Sequence, residues 1–189
     1  MCGIFLAIPK SNYRLNIQAC EKALNYLKKR GPDWHFKKII NKKFFGQTVL
    51  SMTGTNTFKI ENHMSKDGRY LILFNGEIYN YKELAKNFGQ NNQKNFSDTQ
   101  ILVNNFKSNN IKNFFEKLDG MFAIIIYDKI KDRVIVARDL QGEKTLNVYE
   151  DKNLIIISSE INAIKVYIDN LKLDHYWLQT YFNTRHFLQ

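Results

Sequence analysis

Met1-Cys2-Gly3-Ile4-Phe5-Leu6-Ala7-Ile8 opens the chain, and the reading of this stretch decides the rest. Ile4 to Ile8 is an unbroken apolar run of strand length, so it is expected to form a strand buried inside the molecule. Loss of Met1 is usual when the second residue is small, and it would leave Cys2 with a thiol and a free α-amine on one carbon. A cysteine thiol titrates near 8.5 and an α-amine near 7.7 to 8.0, so the amine can take the thiol proton directly or through a water. A small apolar residue opening a strand is the bland reading of Cys2, and the rest of the chain argues against it.

With 189 residues, 44% of them hydrophobic and 14% aromatic, the chain has enough apolar surface for one globular domain with a sizeable core. Its apolar runs, Met121–Tyr127 and Leu154–Ile157 among them, fall far short of the roughly 20 residues a membrane span needs. The N-terminus has neither a basic n-region nor a long apolar h-region. The expectation is therefore a cytoplasmic protein with no membrane partner. Cys20 is expected in the core, and His35, His63, His175 and His186 show no metal-ligand spacing with either cysteine, so no metal site is expected. The formal charge of +10 raises nucleic-acid binding as a rival function. Lys28-Lys29-Arg30 and Lys37-Lys38 with Lys42-Lys43 sit beside different elements and no nucleic-acid module accompanies them, so they are read as solvated faces and no nucleic-acid partner is expected.

Outward from the opening strand, Ile17, Cys20, Leu24 and Leu27 recur at helical spacing behind Asn16, a helix N-cap, as far as about Lys29. Arg30-Gly31-Pro32-Asp33 ends this helix, with Gly31 in a C-cap conformation. Two strands joined near Asn41 follow. Tyr70 to Phe74 reads as a buried strand that enters a tight turn at Asn75-Gly76-Glu77 before a helix bearing Ile78, Tyr81 and Leu84. Such a turn can present a side-chain amide and a backbone N–H to an oxyanion. Thr53 to Asn62 reads as loop or short strand, and Gln90 to Asn95 as polar loop. Ser97-Asp98-Thr99-Gln100 is a capping box that explains Ser97 and Gln100 but leaves Asp98 without a structural role. Another helical face, Ile111 to Leu118, precedes strands at Met121–Tyr127, Arg133–Arg138, Asn147–Tyr149 and Leu154–Ser158. Strands in succession with helices grouped between them predict an α+β protein in which antiparallel sheets pack face to face under helices.

Together, Met1-Cys2-Gly3-Ile4, Arg30-Gly31-Pro32-Asp33, Leu50-Ser51-Met52, Phe74-Asn75-Gly76-Glu77-Ile78-Tyr79-Asn80, Ser97-Asp98-Thr99, Leu118-Asp119-Gly120-Met121-Phe122-Ala123, Ala137-Arg138-Asp139 and Ser158-Ser159-Glu160-Ile161 resemble a known pattern. It is that of the class II glutamine amidotransferase domain at the N-terminus of glutamine-dependent asparagine synthetases, a member of the N-terminal nucleophile hydrolases. The resemblance implies a four-layer αββα sandwich and hydrolysis of glutamine to glutamate and ammonia. By matching positions, Cys2 would be the nucleophile, with Asn75 and Gly76 stabilising the oxyanion. Glu77 and Asp98 would hold the substrate α-ammonium, with Leu50 also in the substrate site, while Arg30 and Asp33 would order the adjoining loop. This half-reaction needs no cofactor; ATP and Mg would serve only a synthetase domain.

The sequence departs from the pattern in two places. An Arg that clamps the substrate α-carboxylate usually precedes Leu-Ser-Ile, and here Val49 precedes Leu50-Ser51-Met52. Arg69 or a neighbouring Lys is the substitute on offer, and a catalytically weakened binding or regulatory module is the alternative. Secondly, no Ser-Gly-Gly-x-Asp-Ser pyrophosphate loop of an ATP-using domain occurs up to Gln189. Residues 1–170 are therefore expected to be the glutaminase domain and 171–189 a helix and linker toward a synthetase domain, in cis or in trans. Trp177, Tyr181, Phe182 and Phe187 would supply an apolar docking face there. Homodimer formation is left open.

Overall fold

The computed structural model describes residues 1–51, 59–87, 97–107, 110–169, 171 and 173–185; Met52, the Gln90–Asn95 loop, most of Thr53–Asn62, His186 and Phe187 lie outside them. In chain order the strands are β1 (Gly3–Pro9), β2 (Trp34–Ile40), β3 (Lys43–Val49), β4 (Tyr70–Ile78), β5 (Gly120–Asp128), β6 (Arg133–Arg138), β7 (Asn147–Glu150) and β8 (Leu154–Ser158). The helices are α1 (Ile17–Tyr26), α2 (Tyr81–Asn87), α3 (Asp98–Asn105), α4 (Ile111–Glu116), α5 (Ile161–Tyr167) and α6 (His175–Thr184). All named strand pairs are antiparallel, in a five-stranded sheet of order β2-β3-β1-β8-β7 and a three-stranded sheet of order β4-β5-β6.

Three apolar layers separate four layers of secondary structure. Phe5, Ala7, Phe44 and Ile156 face Cys20, Ala23 and Leu24 of α1 and Ile164 of α5. Ile4, Leu6, Phe45 and Ile157 meet Leu71, Leu73, Ile125 and Tyr127 between the sheets. Ile72, Phe74, Ile124 and Ile126 carry Leu84, Ile101, Leu102 and Phe106 on the far side. The result is the expected αββα sandwich. It explains why β1 is apolar at every position: a strand covered by helices on one face and a sheet on the other has no solvent face to alternate with.

Local signals hold at most boundaries. Asn16 Oδ1 accepts the Ala19 N–H (3.1 Å) at the start of α1, and Ser97 and Gln100 form the reciprocal capping box of α3. Asn41 and Lys42 both take positive φ (47° and 64°), as the turn of a two-residue hairpin requires. Two expectations need correction. Gly31 is not a left-handed C-cap. A 3₁₀ turn, Leu27–Lys29, follows α1, and Gly31 is required because a Cβ there would strike the backbone of Thr48 and Val49. Asn75-Gly76-Glu77 is not a turn either: β4 continues through it to Ile78, pairing Asn75 with Ala123, Gly76 with Phe122 and Glu77 with Met121. The local turn preference of Asn-Gly yields to this ladder, and Gly76 suits it because a Cβ would collide with Met121 and Phe122 of β5.

The basic clusters are partly paired: Lys29 and Arg30 with Glu160, Lys37 with Glu21, and Lys43 with Asp132. None of the described helices is long and apolar enough to cross a membrane. Helix α6 is capped by Asp174 and ends on Arg185 at φ 60°, and none of its residues is buried.

Candidate active site

Alternation along three strands brings the chemistry together. On β1, Ile4 and Leu6 point between the sheets, and Cys2 continues that parity. On β3, Phe45 does the same, and Gln47 and Val49 follow it. On β4, Leu71 and Leu73 face the first sheet, so Asn75 and Glu77 do too. These three ends coincide at a cavity of about 160 Å³ whose lining includes Cys2, Val49, Leu50, Asn75, Gly76, Glu77 and Asp98. The residues expected to react with or bind substrate are thus gathered in one place, although Cys2 and Asp98 lie far apart in the chain.

The main chain of β4 contributes through its free edge. Phe122 directs its N–H to Asp139 Oδ2 (3.2 Å) and its carbonyl to the Asp139 N–H (2.8 Å), away from its partner Gly76. Gly76 therefore belongs to the set of β4 residues whose backbone groups turn outward. Two others in that set are satisfied by side chains. Phe74 donates to Gln47 Oε1 (3.0 Å) and accepts from Gln47 Nε2 (2.8 Å), and Ile78 donates to Asp98 Oδ2 (3.3 Å). The Gly76 N–H lies between these two positions, on the edge that lines the cavity. Beside it, Asn75 is fully buried, and neither atom of its side-chain amide has a partner among the described residues. A buried amide left unbonded costs about 1–3 kcal/mol, so this one is a cost to the fold.

Arg30 and Asp33 lie outside the cavity lining and hold it from behind. Arg30 donates through Nε to the Cys2 carbonyl (3.0 Å) and is itself gripped by Glu160 (3.1 Å). Asp33 Oδ2 accepts the Ser51 N–H (2.8 Å), and the Asp33 N–H bonds Val49 O (3.1 Å). The segment so pinned presents Leu50 O to the Cys2 thiol, which donates to it at 3.7 Å. Several site residues escaped the sequence reading: Gln47, whose amide clamps β4 beside Asn75; His63 and Lys144 in the lining; and Glu160 behind Arg30. A polar residue at a core parity was the one available signal for Gln47. Nothing local marked His63 or Lys144, and Glu160 stood only within the Ser158-Ser159-Glu160-Ile161 stretch of the resemblance.

Burial raises the Cys2 thiol above its ordinary pKa, opposed by a hydrogen bond with the Leu50 backbone and by the positive charges of the Met1 amine and Arg30. Asp98 is pushed up to about 6 by burial, against the N–H bonds from Thr99 and Ile78 and with help from the nearby Glu77 charge. His63 is driven down to about 4 by burial, its Nδ1 lying 3.1 Å from Ile72 O, so near neutral pH it is an uncharged ring.

A family model described as a glutamine amidotransferase domain matches residues 1–189. A probable glutamine-hydrolysing asparagine synthetase of Acanthamoeba polyphaga mimivirus is 31% identical over 93% of this chain and 33% of its own length. The glutamine-hydrolysing asparagine synthetase 2 of Bacillus subtilis is 32% identical over 87% of this chain and 22% of its own. The chain thus spans a third or less of these relatives. A glutamine phosphoribosylpyrophosphate amidotransferase of B. subtilis, complexed with ADP and GMP, superposes with a TM-score of 0.69 at 19% identity. That match covers 88% of this chain and 43% of the other, and shows a shared fold. The family model matches the whole chain, and on this ground the chain belongs to the glutamine amidotransferase domain family.

Proposed function

We propose that this chain hydrolyses the side-chain amide of glutamine, releasing glutamate and ammonia, with Cys2 as nucleophile once Met1 is removed. The observation that carries the reading is the buried Asn75 amide, unbonded among the described residues, in the same cavity as the Cys2 thiol. A donor held ready without a ground-state partner is what transition-state stabilisation requires. Cys2 Sγ bonds to the amide carbon as its proton passes to the α-amine, and the oxygen becomes an oxyanion facing Asn75 Nδ2 and the Gly76 N–H. Collapse expels ammonia, which carries that proton away, and leaves a thioester. Water then cleaves the thioester to glutamate and restores the thiol. Glu77 and Asp98 accept the substrate ammonium, as acceptor-only carboxylates can, and Leu50 helps wall the site. No cofactor enters this half-reaction.

Because the similar proteins are longer synthetases, the ammonia is proposed to serve an ATP-dependent, asparagine-synthetase-like domain, in cis or in trans. The segment from residue 171, whose α6 exposes Tyr176 and Phe182, is the proposed link to it. The test is direct: protein shown by mass to lack Met1 is incubated with glutamine, and glutamate is measured. Protein that retains Met1, or carries residues fused ahead of Cys2, is expected to lose most of its activity although the thiol survives. Full activity in the blocked form would remove the α-amine from the mechanism. Glutamine binding without turnover in the processed form would favour a regulatory module, the reading that Val49 suggests.

Asp98 predicts a pH dependence. With its pKa up at about 6, the free carboxyl is protonated below that pH and cannot accept an ammonium ion. The apparent KM for glutamine should be flat above pH 6 and rise toward tenfold per pH unit below it, since only the ionised fraction binds. Asp98→Asn should raise KM and flatten this profile. Steady-state kinetics from pH 5 to 8 decide the point, and an unchanged acid limb in Asp98→Asn would reassign the titrating group.

A further inference from the structure

The cavity offers two carboxylates to an ammonium, but at position 49, where an Arg would meet the substrate carboxylate, it presents Val49. Arg69 does not replace it. Its Nε and Nη2 bond Asp128 (3.0 and 2.7 Å) at the Tyr70 end of β4, six residues and roughly 20 Å along the strand from Gly76. Among the described residues lining the cavity, the one Lys or Arg is Lys144. It is 7% exposed, and among the described residues its ammonium meets one weak acceptor, the Met1 thioether sulfur, at 3.5 Å. A buried ammonium without an anionic partner is costly, and the thioether leaves with Met1 on processing. The Lys144 backbone is fixed meanwhile: its N–H bonds Asp139 Oδ2 (3.1 Å), and Asp139 Oδ1 takes the N–H of Glu143 (2.8 Å).

We propose that Lys144 Nζ binds the α-carboxylate of glutamine, supplying from the β6–β7 loop the cation that Val49 cannot supply from β3. This assignment rests on the glutaminase reading for its substrate. The test compares processed wild type, Lys144→Met and Lys144→Arg on glutamine and on 4-aminobutanamide, which lacks only the carboxylate, with ammonia release as the readout. Lys144→Met should raise the KM for glutamine about 10- to 150-fold while leaving kcat within a few-fold. It should leave kcat/KM for 4-aminobutanamide unchanged, and Lys144→Arg should recover most of the loss. An unchanged glutamine KM, or equal losses on both substrates, would overturn the proposal, the latter placing Lys144 in the chemistry or the fold. Calorimetric binding of glutamine to wild type and Lys144→Met keeps the two readings apart. An inactive wild type whose glutamine affinity still falls in Lys144→Met defeats the glutaminase and spares Lys144. A wild type that binds no glutamine defeats both.

Discussion

Cys2→Ala is expected to abolish glutamate release, by on the order of 10⁴-fold or more, while leaving the fold intact. The loss is large because the sulfur forms the bond that defines the intermediate. The fold survives because the one hydrogen bond the thiol donates among the described residues is weak, to Leu50 O at 3.7 Å, at the margin of the inter-sheet core. Cys20→Ala is the matched control. Cys20, on α1, is fully buried against β1 and α5, and burial pushes its thiol up to about 12, so it is an inert core group. Truncating it should cost about 1 kcal/mol of stability and leave the rate unchanged. Glutamate assays and thermal melts of the two variants separate the roles. Activity retained in Cys2→Ala, or lost equally in both, would defeat the mechanism.

Asn75→Ala is expected to lower kcat by about 10²–10³-fold with little change in KM, the effect of removing one oxyanion donor. The structure adds a second, opposite expectation for stability. Since neither atom of the amide is bonded among the described residues, its removal forfeits no observed hydrogen bond and relieves a buried polar group. The relief works against the small cavity left behind, so the melting temperature should stay or rise. A structural Asn would behave in reverse, with normal kcat and a lowered melting temperature, and that result would sink the oxyanion assignment.

Much of the fold was legible because its causes are local or periodic. Asn16 and Ser97 cap helices through atoms three residues away, and Asn41-Lys42 turns a hairpin within its own length. The unbroken apolar run of β1 could only be a strand enclosed on both faces. Legibility failed where a distant partner overruled a local preference. Asn75-Gly76 carries a turn signal that β5, more than forty residues downstream, holds straight. Gly31 looks like a helix terminator yet is small because Thr48 and Val49 pass against it.

The same division runs through the site. From the sequence alone came the residue types the chemistry needs, a cysteine beside the N-terminus, an amide and a glycine at a strand end, two carboxylates and a missing Arg, together with the alternation that sets which way each strand side chain points. Only the tertiary structure decided that Cys2, Asn75, Glu77 and Asp98 share one cavity, that Gln47 clamps the strand beside Asn75, and that among the described residues the Asn75 amide is left unbonded and Lys144 is the cation of the lining. Parity is a property of one strand and travels with its sequence. Which strand ends meet is set by the register of one sheet packed on another, and that depends on contacts of β4 with β1 and β3, segments distant in the chain.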